Sequence, residues 1–133
     1  MIYRIEIHTH HRNELLDITE EVARVIKKSN IKNGTAIIFV PHTTAGITLN
    51  ENYDPSVRRD ISESLARLFP KSGPYSHTEG NADAHIKSAI VGSSRTVFFE
   101  NGNILFGTWQ GIFFCEFDGP RRREVFVKII PDA

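Results

Sequence analysis

Apolar and polar residues alternate between positions 2 and 8, and this alternation predicts a first β-strand. Beyond it, Asp17 or Thr19 can cap a helix whose apolar side chains recur at helical spacing, at positions 18, 22, 25 and 26. The run over residues 35–40 is continuously apolar. It predicts a strand that is buried on both faces.

A polar stretch over residues 42–52 follows that strand and is interpreted as a loop. A second helix is predicted to begin at Asp54-Pro55, because proline is favoured in the first turn. The third predicted helix spans residues 82–91, with Asn81 as its cap and Gly92 as its stop.

The remainder of the chain reads as antiparallel strands over residues 96–99, 104–106, 108–117 and 124–130. Glu100-Asn101-Gly102 is typical of a tight hairpin. We therefore expect residues 1–133 to form a single α+β domain. Its sheet should be mostly antiparallel and sandwich-like, with about three helices.

Charge and cysteine content narrow the class of protein. Sixteen basic and sixteen acidic residues give no net charge, so nothing draws the chain as a whole to nucleic acid or to an anionic membrane. Cys115 is the only cysteine, which excludes an internal disulfide and favours a cytoplasmic location. No stretch is long and apolar enough to cross a membrane.

Three polar segments carry candidate chemistry, and the first begins where the predicted buried strand ends. His42, Thr43 and Thr44 follow that strand, and Gly46 could let the backbone approach a ligand. Glu51 adds a carboxylate a few residues later. A solvated loop explains the same residues equally well.

The second segment runs over residues 77–85 into the third predicted helix. A helix start can hold phosphate on its free amides. The imidazole and carboxylate groups of this segment could instead bind a divalent cation, either zinc or magnesium. These groups belong to His77, Glu79, Asp83 and His85. Asp83 could simply be an acid in a first helical turn, and His85 a half-buried structural side chain.

The third segment contains Trp109, Gln110 and Arg121. A core position is the more frequent role of a residue such as Trp109, and Gln110 within an apolar strand would be a buried amide that needs partners. Arg121 begins a run of three arginines whose planar groups could bind phosphate or carboxylate. Ordinary surface ion pairs would also account for this run.

Together these segments resemble the YjbQ-like family. The resemblance is carried by His42-Thr43-Thr44-Ala45, Asn50-Glu51-Asn52, Glu79-Gly80-Asn81-Ala82-Asp83-Ala84-His85, Gly107-Thr108-Trp109-Gln110 and Glu116-Phe117-Asp118-Gly119-Pro120-Arg121. Asp17-Ile18-Thr19 and Gly92-Ser93-Ser94 also match, so the likeness extends over most of the chain.

The resemblance implies a homotrimer with sites near the subunit contacts, and thiamine-phosphate synthase activity. That reaction joins a hydroxymethylpyrimidine diphosphate to a thiazole phosphate and releases pyrophosphate. We expect catalytic roles for His42, Glu51, Asp83 and His85, and metal binding by His42, His77, Glu79 and His85. Substrate contacts are expected from Thr43, Thr44, Asn81, Trp109, Gln110 and Arg121.

Two other hypotheses use the same residues. The first is a metal-dependent hydrolase or lyase with His42, His77 and His85 as ligands. The second is a non-catalytic trimer that binds a phosphorylated metabolite. No role is expected for His8, His10 or His11, which lie outside the matching motifs.

Overall fold

The structure is a computed structural model that describes all 133 residues, with eight strands and three helices. The strands are β1 (Ile2–His8), β2 (Glu14–Asp17), β3 (Gly34–Phe39), β4 (Ala45–Glu51), β5 (Ser94–Glu100), β6 (Asn103–Ile104), β7 (Gln110–Glu116) and β8 (Arg122–Pro131). The helices are α1 (Thr19–Ser29), α2 (Pro55–Leu68) and α3 (Ala82–Val91).

All strand pairs are antiparallel and form two sheets, in the orders β1-β8-β3-β5-β6 and β2-β7-β4. The main core lies between the sheets and includes Val22 and Ile26 of α1. A second apolar cluster joins β7 to α3 through Phe113 and Ala84, with Ile61 of α2 packed against it. The predicted α+β class, with three helices and mostly antiparallel sheets, is confirmed.

Two strands were not predicted. The stretch expected to be a polar loop contains β4, and β2 precedes α1. β4 pairs along its whole length with β7, and its first residues are buried while Asn50 near its end is exposed. The C-terminal end of β4 is polar because it lies in solvent, so the sequence of this segment does not show the apolar alternation of a strand.

The expectation that residues 35–40 are buried on both faces was wrong. In β3, Ala36 and Ile38 are buried, whereas Thr35 and Ile37 are only partly covered and Phe39 is exposed. Only one face of this strand meets the other sheet. The apolar residues of its second face lie on the outer side of the five-stranded sheet.

Gly46 has a packing role in the structure. A Cβ atom at this position would lie 2.8 Å from the carbonyl oxygen of Gly92 and 3.0 Å from Cγ1 of Val91, at the end of α3. The amide of Ile47 also donates to the Gly92 carbonyl. The glycine therefore lets α3 lie close against β4.

A buried ion pair joins the two sheets where β7 leads into β8. Glu116 of β7 and Arg123 of β8 are both buried, and the Arg123 Nε donates to Glu116 Oε1 at 2.9 Å. Thr9 also donates to this carboxylate, and Thr44 accepts from Arg123. The Gly119–Pro120 peptide bond in the intervening turn is cis.

None of the three helices is long and apolar enough to cross a membrane.

We predict that Arg123→Met lowers the free energy of unfolding by about 3–5 kcal/mol at neutral pH, because it leaves the Glu116 carboxylate buried without its partner. Arg122→Met is the matched control: that side chain is 73% exposed, so its loss should cost less than about 1 kcal/mol. Urea denaturation of the two variants measures the difference. Equal stabilities would contradict the structural role of the pair.

The same pair predicts a pH dependence. Burial raises the pKa of Glu116, but hydrogen bonds from Arg123, the Asp118 amide and Thr9 outweigh it and hold the pKa below its ordinary value. The pair therefore stabilises the fold at pH values above the ordinary pKa of a glutamate. This stabilisation is lost as the pH falls through the lowered pKa of Glu116. The difference in free energy of unfolding between the wild type and the Arg123→Met variant should therefore become smaller at acid pH.

Candidate functional site

The predicted site residues lie at two opposite ends of the three-stranded sheet. Ala45 pairs with Glu116 at one end of the β4–β7 ladder, and Glu51 pairs with Gln110 at the other. Six residue steps separate the ends, which corresponds to about 20 Å in a strand. One chain therefore does not place Glu51, Trp109 and Gln110 together with the residues near Thr44 and Asp118.

A pocket of about 500 Å³ contains the two histidines of the second segment. The rings of His77 and His85 lie edge to face, with their centroids 5.3 Å apart. His85 is carried by α3, and His77 by the loop before it. The lining consists of Pro74, Tyr75, Ser76, His77, Ala82, His85 and Ile86.

Hydrogen bonds fix which nitrogen of His77 carries the proton. The Asn81 Nδ2 donates to Asp118 Oδ2 at 3.0 Å, and a carboxylate can only accept, so Asn81 Oδ1 must face His77. The His77 Nε2 lies 2.9 Å from that oxygen and therefore donates to it. This leaves the Nδ1 lone pair of neutral His77 available as a base, a nucleophile or a ligand.

Asn81 does not cap α3 with its side chain, contrary to expectation. Asn81 occupies the N-cap position, but its side-chain amide bridges His77 and Asp118 instead. The first turn of α3 thus keeps amides that no capping side chain covers.

Asp118 is held by two arginines. Arg121 donates to Asp118 Oδ2 at 3.1 Å, and an Arg12 nitrogen lies 3.6 Å from Oδ1. Arg12 also donates to Asp83 at 2.9 Å. The half-exposed Arg121 is therefore linked to the Asn81–His77 pair through Asp118, and its expected role in phosphate binding stays a prediction.

Asp83 is a buried anchor in the structure and does not face the pocket solvent. Both of its oxygens are occupied, one by Arg12 and the other by Lys87, whose Nζ lies 2.9 Å away. Burial raises the pKa of Asp83, but the hydrogen bond and charge of Lys87, followed by those of Arg12, hold it below its ordinary value. The expected catalytic role requires a reachable carboxylate, so this geometry argues for positioning.

His42 belongs to the sheet junction near Arg123. Its Nε2 accepts a hydrogen bond from the Glu124 amide at 3.0 Å, which leaves the proton of the neutral ring on Nδ1. Burial and then the charge of Arg123 lower the pKa of His42, outweighing contributions that raise it. Thr44 is buried against Arg123, whereas the neighbouring Thr43 is exposed.

The residues expected to bind metal do not converge in one chain. No group of three histidine, cysteine, aspartate or glutamate side chains is arranged to hold an ion. Glu79 is the carboxylate nearest the histidine pair, with its Oε2 3.8 Å from His77 Nε2. This set does not match a closed zinc site, which needs four converging ligands.

Trp109 and Gln110 are both exposed, which excludes a core tryptophan and a buried amide, while their expected substrate contacts stay a prediction. Trp109 lies beside Tyr53 at the far end of the ladder, where they line a separate surface pocket with Glu51. The Gln110 side chain braces its own turn by accepting from the Gly107 amide at 2.9 Å. Neither residue is a buried core element.

Comparison with known proteins places the chain in a family. The profile described as "UPF0047 protein YjbQ-like" matches residues 3–132. The chain belongs to the YjbQ-like UPF0047 family. The predicted resemblance is therefore confirmed.

Relatives in this family span nearly the whole chain. A UPF0047 protein of Methanocaldococcus jannaschii is 57% identical over 99% of this chain and 96% of its own length. The UPF0047 protein YugU of Bacillus subtilis is 47% identical over 98% and 99%. A crystal structure of a YjbQ/UPF0047 family protein from Clostridium acetobutylicum is 52% identical and superimposes with a TM-score of 0.94, covering 96% and 99% of the two chains.

Several polar residues of this YjbQ-like chain were not singled out by sequence. Arg12 and Lys87 fix Asp83, and Asp118 orients Asn81. Asp118 lies inside one of the family motifs, which was a usable signal, whereas nothing in the pattern marks Arg12. Burial raises the pKa of the Cys115 thiol to about 12, so this cysteine is not a nucleophile.

We predict that Asn81→Ala removes the preference of His77 for a proton on Nε2, because the variant lacks the acceptor that selects this tautomer. Ring nitrogen shifts of neutral His77 in long-range proton–nitrogen spectra measure the tautomer. Asn50→Ala is the control, since that exposed side chain bonds only to the Glu51 amide. Unchanged His77 shifts in Asn81→Ala would contradict the bridge.

Proposed function

We propose that this chain is an enzyme that acts on phosphorylated small molecules, with His77 and His85 contacting the substrate. The observation that carries the proposal is the histidine pair in a pocket, with the proton of one ring fixed by Asn81. Such a ring has a defined lone pair, and general acid–base chemistry requires a group of this kind.

Phosphate recognition is supported by the surroundings of the pair. The first turn of α3 has no side-chain cap, and the start of a helix carries partial positive charge. Arg121 is half exposed nearby; its Nε and Nη2 donate to Asp118, and its remaining N–H groups can donate to phosphate oxygens. The pocket therefore offers imidazole groups to a ligand, and the positive charge of Arg121 lies outside its lining.

The specific reaction that we propose is thiamine-phosphate synthesis, a transfer with pyrophosphate as the leaving group. Charge on this leaving group must be neutralised, and magnesium bound to the diphosphate can supply most of that effect. Glu79 is available to contact the ion, and Arg121 the phosphate oxygens. The bond between the pyrimidine methylene carbon and the diphosphate oxygen breaks, and the thiazole nitrogen forms a bond to the same carbon. His77 or His85 would hold a proton shared with the pyrimidine during this transfer, with no net gain or loss of protons.

The three-histidine hydrolase is less well supported, because His42 is occupied at the sheet junction by the Glu124 amide. A non-catalytic metabolite-binding protein would use the same pocket as the enzyme. It is distinguished from the enzyme by whether the bound ligand is transformed.

We further propose a cytosolic homotrimer. No helix covers the outer face of the five-stranded sheet, and exposed apolar side chains of this face include Phe39, Phe98 and Ile130. An exposed apolar patch on a small protein commonly marks a subunit contact. Joining copies there would bury these side chains without covering the pocket of His77.

We predict that purified protein forms thiamine phosphate from the two precursors and magnesium, and that His85→Ala reduces the rate at least about a hundredfold, as expected for a lost proton-transfer group. His10→Ala is the matched control, because that side chain is exposed and lies outside the pocket. Product formation is followed by mass spectrometry. Chelation of the magnesium should abolish it.

A His85→Ala variant as active as the wild type would exclude the pocket as the site of this reaction. Saturable binding of the diphosphate, with the ligand recovered unchanged, would identify a binding protein instead of an enzyme.

We predict that sedimentation velocity gives a mass three times that of the 15.1 kDa chain. Phe98→Glu should shift the mass toward that of one chain, because it places a charge in the apolar contact. Ile90→Glu alters an equally exposed side chain on α3 and should leave the mass unchanged. A monomeric wild type would contradict the trimer.

A further inference from the structure

A second pocket lies at the end of the β4–β7 ladder remote from His77 and His85. It measures about 630 Å³ and is lined by Glu51, Tyr53, Asp54, Pro55 and Trp109. Tyr53 is 76% exposed and Trp109 54% exposed, so neither ring serves the core. Their centroids lie 5.4 Å apart, edge to face. Two aromatic rings thus stand together on the surface.

The backbone holds this pair in place. The Asn52 amide donates to the Trp109 carbonyl at 3.0 Å, and its side chain donates to Asp17 at 3.2 Å. On the other side, the Gln110 amide donates to the Gly107 carbonyl, and its side chain accepts from the Gly107 amide. The segments carrying both rings are therefore fixed to each other before any ligand arrives.

The charges of the pocket are all negative. Its lining contains two carboxylates and no lysine, arginine or histidine. Glu51 accepts from the Asp54 amide through Oε2, and Asp54 accepts from the Ser56 amide through Oδ1. Both carboxylates line the pocket, so their charge faces a ligand there. The hydrogen bonds from Ser56, and to a lesser extent the charge of Arg59 outside the lining, lower the pKa of Asp54 and keep that group ionised.

Aromatic faces beside carboxylates favour an organic cation over a metal ion. A bulky ammonium group is weakly hydrated and is attracted to both the ring faces and the carboxylates. A metal ion would need converging oxygen ligands, and the chain contains no such group of three acidic or imidazole side chains.

We propose that Glu51, Tyr53, Asp54 and Trp109 form a binding site for a small organic ammonium ion. This site is distinct from the pocket of the histidine pair, from which the length of β4 separates it. It takes an alkylammonium group against the solvent-exposed faces of the two touching rings, with the carboxylates facing its positive charge. The proposal does not depend on the proposed enzymatic reaction.

Choline chloride is a suitable probe, and 3,3-dimethylbutan-1-ol is its uncharged counterpart of the same shape. Trp109 is the only tryptophan, so fluorescence excited selectively at tryptophan, and not at the three tyrosines, reports this site alone. At constant ionic strength, choline should change the fluorescence saturably, and the alcohol should not. Sodium chloride replaces choline chloride as the blank.

Three variants test the chemistry of the site. Glu51→Gln, Asp54→Asn and Tyr53→Leu should each weaken choline binding about twofold to fivefold, as expected for loss of one exposed cation contact. Asparagine can still cap α2, so Asp54→Asn should fold normally. Glu63→Gln, an exposed change on α2, is the control and should bind like the wild type.

An equal response to choline and the alcohol would overturn the proposal, since it would show an apolar pocket without cation preference. No saturable response to choline would also overturn it. A third contrary result combines two observations. The fluorescence of the wild type would depend on protein concentration, and the Trp109→Leu variant would sediment with a smaller mass. That result would assign the rings to a subunit contact.

Choline binding and thiamine-phosphate synthesis can be tested independently of each other. His85→Ala should bind choline as the wild type does, because the histidine pocket is remote. Loss of choline binding in Tyr53→Leu, with unchanged synthesis of thiamine phosphate, would support two independent sites.

Discussion

The carboxylate of Glu116 is buried, and its oxygens must therefore be satisfied by the chain itself. Arg123 supplies the opposite charge from the other sheet, and Thr9 adds a hydroxyl from the end of β1. Removing either charge would leave the other in a medium of low polarity, so the pair forces both sheets to meet in one arrangement. Apolar contact between the sheets is not directional and could not fix that arrangement alone.

The same carboxylate determines the geometry of the histidine pocket. Glu116 Oε2 accepts from the amides of Phe117 and Asp118, which sets the backbone at the start of the turn after β7. From this turn, the Asp118 side chain reaches Asn81, and Asn81 reaches His77. A buried charge between the sheets is thus connected by hydrogen bonds to a ring at the surface. The orientation of that ring depends on folding of the whole domain.

Much of the fold could be predicted because it depends on local pattern. The bounds of α2 and α3 follow from Pro55, Gly92 and helical periodicity, and the hairpin follows from Asn101-Gly102, both of which have positive φ. β4 was missed because its burial comes from pairing with β7 and from packing against α3. Periodicity within one segment contains no information about either neighbour.

For the site, the sequence determined the family and the chemical character of the segment from His77 to His85, since both follow from residue identity and local spacing. Only the tertiary structure decided which groups meet. The ladder between β4 and β7 carries Trp109 to the opposite end of the sheet from Asp118. Arg12 and Lys87 hold the buried Asp83 carboxylate through both of its oxygens, which spacing along the chain did not indicate. Strand register and burial arise from contacts between residues far apart in the chain, and local spacing does not encode those contacts.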